Sequence, residues 1–388
     1  MSQGPLSGMK VVEFAGIGPG PMCGMLLADL GAEVLRVDRL VPSGLGVERP
    51  PRLDLLNRGK RSIAVDLKQP AGVEFARRLV GCSDALIEGF RPKTMERLGL
   101  GPQPCLVQQP RLVYGRVTGF GQSGPLAEAA GHDLNYIALS GALHAIGRAG
   151  APPTPPLNLV GDFGGGGLLL AFGMLAALWN VQRSGAGQVV DAAMVDGAAM
   201  LMTSMYGLLA AGTHNGPRGT NLLDSGAPHY EVFRCADGGY VSVAPIEPKF
   251  RTVLLERLGL SADAFDFDDR ARWGESKARL AALFETRTRE QWCELLEGSD
   301  ACFAPVLAPL EAPRHPHNRA RATFVDIAGV MQPAPAPRFS VTPTALPRPP
   351  HSADDGALEQ VRRWGVAQPE LDALVQRGVV RSGGARAG

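Results

Sequence analysis

The chain has 388 residues, 45% hydrophobic and 20% charged, which is the balance of a folded protein with room for two cores. Its net charge of +1 excludes a general attraction to nucleic acid or to anionic membranes, so an anionic ligand has to be gripped by local basic clusters. Six cysteines without a C-x-x-C pair fit reduced thiols, and the seven histidines show no zinc-site spacing. The N-terminus lacks the pattern of a signal peptide, the C-terminal Ala-Arg-Ala-Gly is no peroxisomal tripeptide, and the apolar run 165–179 is glycine-rich and short for a bilayer. A cytoplasmic protein with no metal and no membrane insertion is expected.

In chain order, residues 10–14 read as a strand, 16–21 as a glycine turn, 22–30 as a helix and 34–38 as a second strand. This βαβ unit argues for a parallel sheet. It also imitates a dinucleotide site, with Asp38 ending the second strand, but the fingerprint fails. After Gly16 and Gly18 the third small residue is replaced by Pro21, and Pro19 and Pro21 lack the N–H donors that a pyrophosphate needs. A nicotinamide reductase is therefore disfavoured.

Asn57-Arg58-Gly59-Lys60-Arg61 leads into a strand at 62–67, and Arg91 and Arg97 follow another at 85–88. A solvated basic loop is the ordinary reading of such a run. With Arg39 ending the preceding strand, however, the basic residues are expected at strand C-termini, the edge where open α/β sheets bind ligands. Guanidinium groups there suit a polyphosphate.

A buried strand at 112–117 leads to the central stretch, 131–167. It opens Gly131-His132-Asp133-Leu134-Asn135-Tyr136 and closes Asn158-Leu159-Val160-Gly161-Asp162-Phe163, followed by four glycines and an apolar helix. A glycine tract before a helix lets a ligand approach free backbone N–H groups. An imidazole and a carboxylate near such a place are two candidate general bases. As plain structure, His132 would cap a turn and Asp162 the following helix.

Beyond it come a strand at 188–195, a Met- and Ala-rich helix to about 212 and a Gly/Pro/Asn-rich linker at 213–228. A hairpin at 230–243, a helix at 250–258 and an amphipathic helical stretch at 270–297 follow. Residues 332–350 hold seven prolines and read as an extended crossover; two short helices at 353–380 and a disordered end at 382–388 complete the chain.

Several of these motifs, in this order, carry a resemblance over nearly the whole chain. The Asn-Arg-Gly-Lys-Arg-Ser block at 57–62, Glu88-Gly89-Phe90-Arg91-Pro92 and Thr118-Gly119-Phe120-Gly121-Gln122-Ser123-Gly124 together resemble the class III CoA-transferase superfamily. Gly-His-Asp-Leu-Asn-Tyr at 131–136, Pro-Leu-Asn-Leu-Val-Gly-Asp-Phe-Gly-Gly-Gly at 156–166, Ile246-Glu247-Pro248 and Ser299-Asp300-Ala301-Cys302 look like its α-methylacyl-CoA racemase branch. Pro350-His351-Ser352 departs from the branch's usual Gly-Glu-His-Thr.

The resemblance implies an α/β fold, with a large Rossmann-like parallel-sheet domain over 1–212 completed by C-terminal helices from 351–388. A smaller α+β domain is expected at 229–320, with a Pro-rich crossover at 321–350. It implies an interlocked homodimer with shared active sites and a 2-methyl-branched acyl-CoA substrate. It also implies cofactor-independent inversion at C2 through an enolate, CoA being part of the substrate. By resemblance His132 faces the proton of the S epimer and Asp162 that of the R epimer. Glu247 of the other subunit orients His132, Asn158 neighbours Asp162, and the N–H of Asp133 holds the oxyanion. The CoA would run along Arg39, the strand end Ala64, Val65, Asp66 and Leu67, then Arg91 and Arg97, with pantetheine past Ala130, Gly131, Asp133, Leu134, Asn135 and Tyr136. The competing reading is a CoA-transferase in which Asp162 is a nucleophile forming a mixed anhydride. A non-catalytic CoA-binding protein would have no use for the paired bases.

Overall fold

The computed structural model describes residues 3–41, 43–261, 265–350 and 356–382. The chain forms two compact units, one built from segments within Met1–Ser140, Leu157–Leu201 and Phe324–Gly388, the other from Gly141–Pro156 and Met202–Thr323. The large unit thus ends its second segment at residue 201, short of 212, and cedes 141–156 to the small one.

In the large unit six parallel strands form in chain order: β1 (Lys10–Phe14), β2 (Glu33–Asp38), β3 (Arg61–Val65), β4 (Ala85–Glu88), β5 (Val113–Thr118) and β6 (Gln188–Ala193). Their order across the sheet is β3-β2-β1-β4-β5-β6, the doubly wound arrangement. Both faces are covered, so the inner strands read as unbroken apolar runs. Val12, Leu35, Ile63, Leu86 and Tyr114 pack with Phe75 and Leu79 on one side, and Val11, Val34, Ile87 and Val113 pack with Leu27, Leu170 and Met174 on the other. The tail supplies helices Ala357–Arg363 and Gln368–Gln376 to the first face, then strand Val380–Ser382, antiparallel to β3. That strand was not apparent from the sequence. Residues 351–352, where the family pattern is departed from, and 383–388 of the expected disordered end lie outside the described residues.

The basic block before β3 is not at a strand C-terminus. Lys60 lies 2.6 Å from Glu13, with side-chain exposures of 2% and 0%. Arg58 grips Asp29 at 2.6 Å and donates to Gln332 and to the carbonyl of Pro333, tying hairpin Phe324–Ile327/Val330–Pro333 to the sheet. Both cations are consumed in the core. The expected crossover therefore begins with paired strands.

A continuous helical stretch, Leu159–Ser184, is long and apolar enough by length and composition to cross a membrane, so the run is not short. Its Leu170, Met174 and Leu178 nevertheless belong to the core on the sheet.

The small unit has a three-stranded antiparallel sheet, Glu231–Arg234, Tyr240–Val243 and Phe303–Val306. Helices Pro248–Leu258, Trp273–Phe284 and Arg289–Leu296 share its core, where Phe233 stacks on Phe284 at 5.0 Å. The stretch 270–297 is broken because Thr288 caps a new helix: its hydroxyl accepts from the Gln291 N–H while its own N–H donates to Gln291 Oε1.

Candidate active site

Strand order reverses between β1 and β4, and ligands of doubly wound sheets bind at such a point, beyond the strand C-termini. The chain leaves β1 through Gly18, at φ 66°, and enters helix Pro19–Asp29. A side chain at Gly18 would come within 3.1 Å of Asp162 Oδ2, so the carboxylate sits against this turn.

Asp162 is not in a glycine loop. It lies in a ten-residue π-helix, Leu159–Leu168, that continues into helix Leu169–Ser184. Wide turns of this kind are costly and concentrate at functional sites. Its glycines serve packing: a Cβ at Gly165 would lie 2.6 Å from the backbone nitrogen of Ala198, and one at Gly167 2.7 Å from Met22. The expected ligand cradle is instead a close helix–helix contact, made with Pro19–Asp29 and Met194–Leu201.

Asp162 Oδ2 accepts from Asn158 Nδ2 at 3.2 Å, and the Asp162 N–H donates to Asp133 Oδ1 at 2.6 Å. Burial raises the pKa of the Asp162 carboxyl; the Asn158 hydrogen bond lowers it, the charge of Asp133 raises it and His132 lowers it. His132 is thus close enough to be felt.

His132 is exposed and stands just before helix Asp133–Leu139 in an extended conformation, its N–H donating to Asn135 Oδ1 at 3.0 Å. The N–H groups of Asp133 and Leu134, in the first turn, have no acceptor within the helix. Tyr136 anchors the turn: its hydroxyl donates to the carbonyl of Gly131 and its ring meets Phe120 edge-on at 5.0 Å. The phenol is pushed up to about 12, first by burial, then by the charge of Asp162, with Arg91 opposing. Leu134, Asn135 and Ala130 are exposed beside it.

Of the residues expected along CoA, Arg39, Arg91 and Arg97 are exposed, with Arg39 5.9 Å over the ring of Phe90 and Arg97 donating to Thr94 Oγ1 at 2.9 Å. Ala64 and Val65 have core side chains (0% and 2% exposed), and their edge is paired with Val380–Ser382. The Asp66 N–H donates to the Val379 carbonyl at 2.9 Å, and its carboxylate accepts from Lys68 and Gln69. That strand end is therefore largely satisfied, and Leu67 is half-buried.

Sequence reasoning missed two basic residues near this edge. Arg381, from the tail, donates to the Leu40 carbonyl at 3.0 Å. Arg116, buried on β5, bridges Glu88 at 2.7 Å and Glu96 at 2.8 Å, and so holds the short helix Thr94–Arg97 that carries Arg97. No local sequence signal marks either.

Glu247 belongs to the small unit, exposed just before helix Pro248–Leu258; the Cys302 thiol is raised first by its own burial and then by the charge of Glu247. Among the described residues no group of three His, Cys, Asp or Glu side chains could hold a metal.

Residues 6–355 match CoA-transferase family III, and the chain belongs to that family. It is 46% identical over 382 residues to the alpha-methylacyl-CoA racemase of Mus musculus, covering 97% of this chain and 98% of the relative. It is 43% identical over 385 residues to the alpha-methylacyl-CoA racemase of Homo sapiens, with the same coverage of 97% and 98%. Among solved structures, a CAIB/BAIF family protein from Brucella suis superposes with a TM-score of 0.78 at 29% identity, covering 93% of this chain and all of that one.

Proposed function

We propose that the protein interconverts the (2R) and (2S) epimers of 2-methyl-branched acyl-CoA thioesters. The observation that carries the reading is the pair of bases: a carboxyl whose pKa is raised by burial, Asp162, joined through Asp133 to the turn that bears His132. The thioester makes the C2 proton removable once the enolate oxygen is held. The Asp133 N–H is the donor assigned to that oxygen, and one such preorganised donor contributes about 3–4 kcal/mol. Inversion then needs one base on each face, His132 for the S proton and Asp162 for the R proton, each returning a proton as the conjugate acid. Asn158, bonded to the Asp162 carboxylate, keeps its free oxygen directed. No separate cofactor enters these steps.

Phosphates of the CoA fall to Arg39, Arg91 and Arg97. The working form is a homodimer in which Glu247 of one chain orients His132 of the other. Exposed apolar side chains on the helices around Asp162, among them Leu159, Leu168, Phe172 and Leu201, support a covered surface there.

The test is deuterium wash-in at C2 on each pure epimer in D₂O, with no acceptor acid and no nicotinamide. His132→Ala and Asp162→Ala should each abolish inversion, by about 10²–10⁴-fold. Each should keep slow exchange with one epimer, the first with R and the second with S. Loss of the same epimer's exchange in both variants sinks the assignment.

A further inference from the structure

The racemase reading uses the backbone N–H of Asp133 and leaves its carboxylate without a task. That side chain is in an unusual position. The residue is 5% exposed; Oδ1 accepts from the Asp162 N–H at 2.6 Å, and Oδ2 is buried with no hydrogen-bond partner among the described residues. Gly161 is required for the contact, since a Cβ there would stand 2.6 Å from Oδ1 and 3.1 Å from Ile137 Cγ2. A half-satisfied buried carboxylate is costly, and an asparagine would make the same backbone contact with less charge to bury. The charge therefore calls for a functional reason.

We propose that Asp133 is a positioning residue, its side chain fastening the turn that starts at His132 to the π-turn of Asp162 so that the two bases keep their separation across C2. This rests on the two-base reading. Asp133 directly follows one base and its side chain bonds the backbone of the other, so a single residue links both. It also acts on Asp162 through space, its charge adding to burial in raising that carboxyl. The other groups facing Asp162 are Asn158, His132 and Tyr136; helix Pro19–Asp29 brings the Gly18 backbone, and Met194–Leu201 packs the tract with Met194, Gly197 and Ala198. Asp133 supplies the negative charge among them.

The experiment compares Asp133→Ala and Asp133→Asn in the full-length protein, reading kcat, KM and the pH profile of deuterium wash-in on each epimer. Asp133→Ala should lower kcat in both directions by about 10²-fold with little change in KM, the scale of a misplaced reacting group. Asp133→Asn, which keeps an acceptor, should recover most of that loss. Exchange of the R epimer rises as Asp162 loses its proton, so removing the neighbouring charge should move that rise to lower pH. Gly161→Ala, which drives a methyl into the same contact, should lower kcat as Asp133→Ala does and covers the case in which the alanine variant does not fold. Wild-type rates in all three variants, or equal losses in Asn and Ala with an unmoved pH profile, overturn the proposal. Asp162→Ala separates the two levels. If it retains R exchange the two-base reading itself falls; if it loses that exchange while the Asp133 variants behave as wild type, only the present inference falls.

Discussion

Replacing Lys60 by methionine should destabilise the large unit without weakening substrate binding. Lys60 Nζ lies 2.6 Å from Glu13 and donates to the Pro21 carbonyl at 2.9 Å and to Asn57 Oδ1 at 3.3 Å. Methionine fills the space of the stem and leaves Glu13, which is fully buried, without a counter-ion. Removing one partner of such a pair costs about 3–5 kcal/mol, which for a unit of this size is a fall in Tm of roughly 6–20 °C. The carboxyl's pKa, already raised by burial, should climb further above its unfolded value. A group so shifted leaves stability intact below the unfolded carboxyl range and removes it as pH rises towards the folded pKa, so the deficit of Lys60→Met should shrink towards roughly pH 4. Thermal unfolding followed by circular dichroism at acidic and neutral pH measures both effects. Glu13→Met with Lys60→Met should recover most of the loss, because an apolar pair of similar volume needs no compensation. An unchanged Tm together with a raised KM would refute the argument, for Lys60 would then be a surface phosphate ligand.

Two further outcomes are expected. Arg97→Ala should raise KM for the acyl-CoA more than it lowers kcat, because phosphate contacts stabilise ground and transition states alike; steady-state kinetics decide it, and a loss confined to kcat counts against the placement of the nucleotide. Co-expressed His132→Ala and Glu247→Ala chains should recover activity that neither variant has alone, as measured on isolated heterodimers; no recovery there would assign both residues to one chain.

The strands were legible because the sheet is covered on both faces. Lys10–Phe14, Ala85–Glu88 and Val113–Thr118 are short apolar runs bounded by turns, and periodicity finds those. What escaped depends on partners far away in sequence. Arg58 and Lys60 look like a solvated run until Asp29 and Glu13 are placed beside them. Strand Phe303–Val306 is four residues long and contains Pro305, and Val380–Ser382 exists only because β3 offers it an edge. His132 and Asp162 stood out as candidate bases from residue type and a glycine context, but resemblance alone gave them roles. Their association runs through Asp133 Oδ1 and the Asp162 N–H, a contact across 29 residues.

The glycine tract was the most misleading feature, and the reason is instructive about the site. Glycine disfavours helix by about 1 kcal/mol per residue relative to alanine, so a run of four reads locally as a loop. In the fold the run is helical because two neighbours come too close for any side chain. A Cβ at Gly197 would fall 1.9 Å from the carbonyl oxygen of Gly165, and one at Gly166 would fall 2.8 Å from Pro19. The close packing holds the wide turn, and the wide turn holds Asp162 between Gly18 and Asp133. A base carried on a free glycine loop would move over distances that matter to proton transfer, where a misplacement of about 1 Å can cost 10²-fold. On the two-base reading proposed above, the glycines would serve catalysis through rigidity, the opposite of the backbone freedom for which a glycine run is usually read.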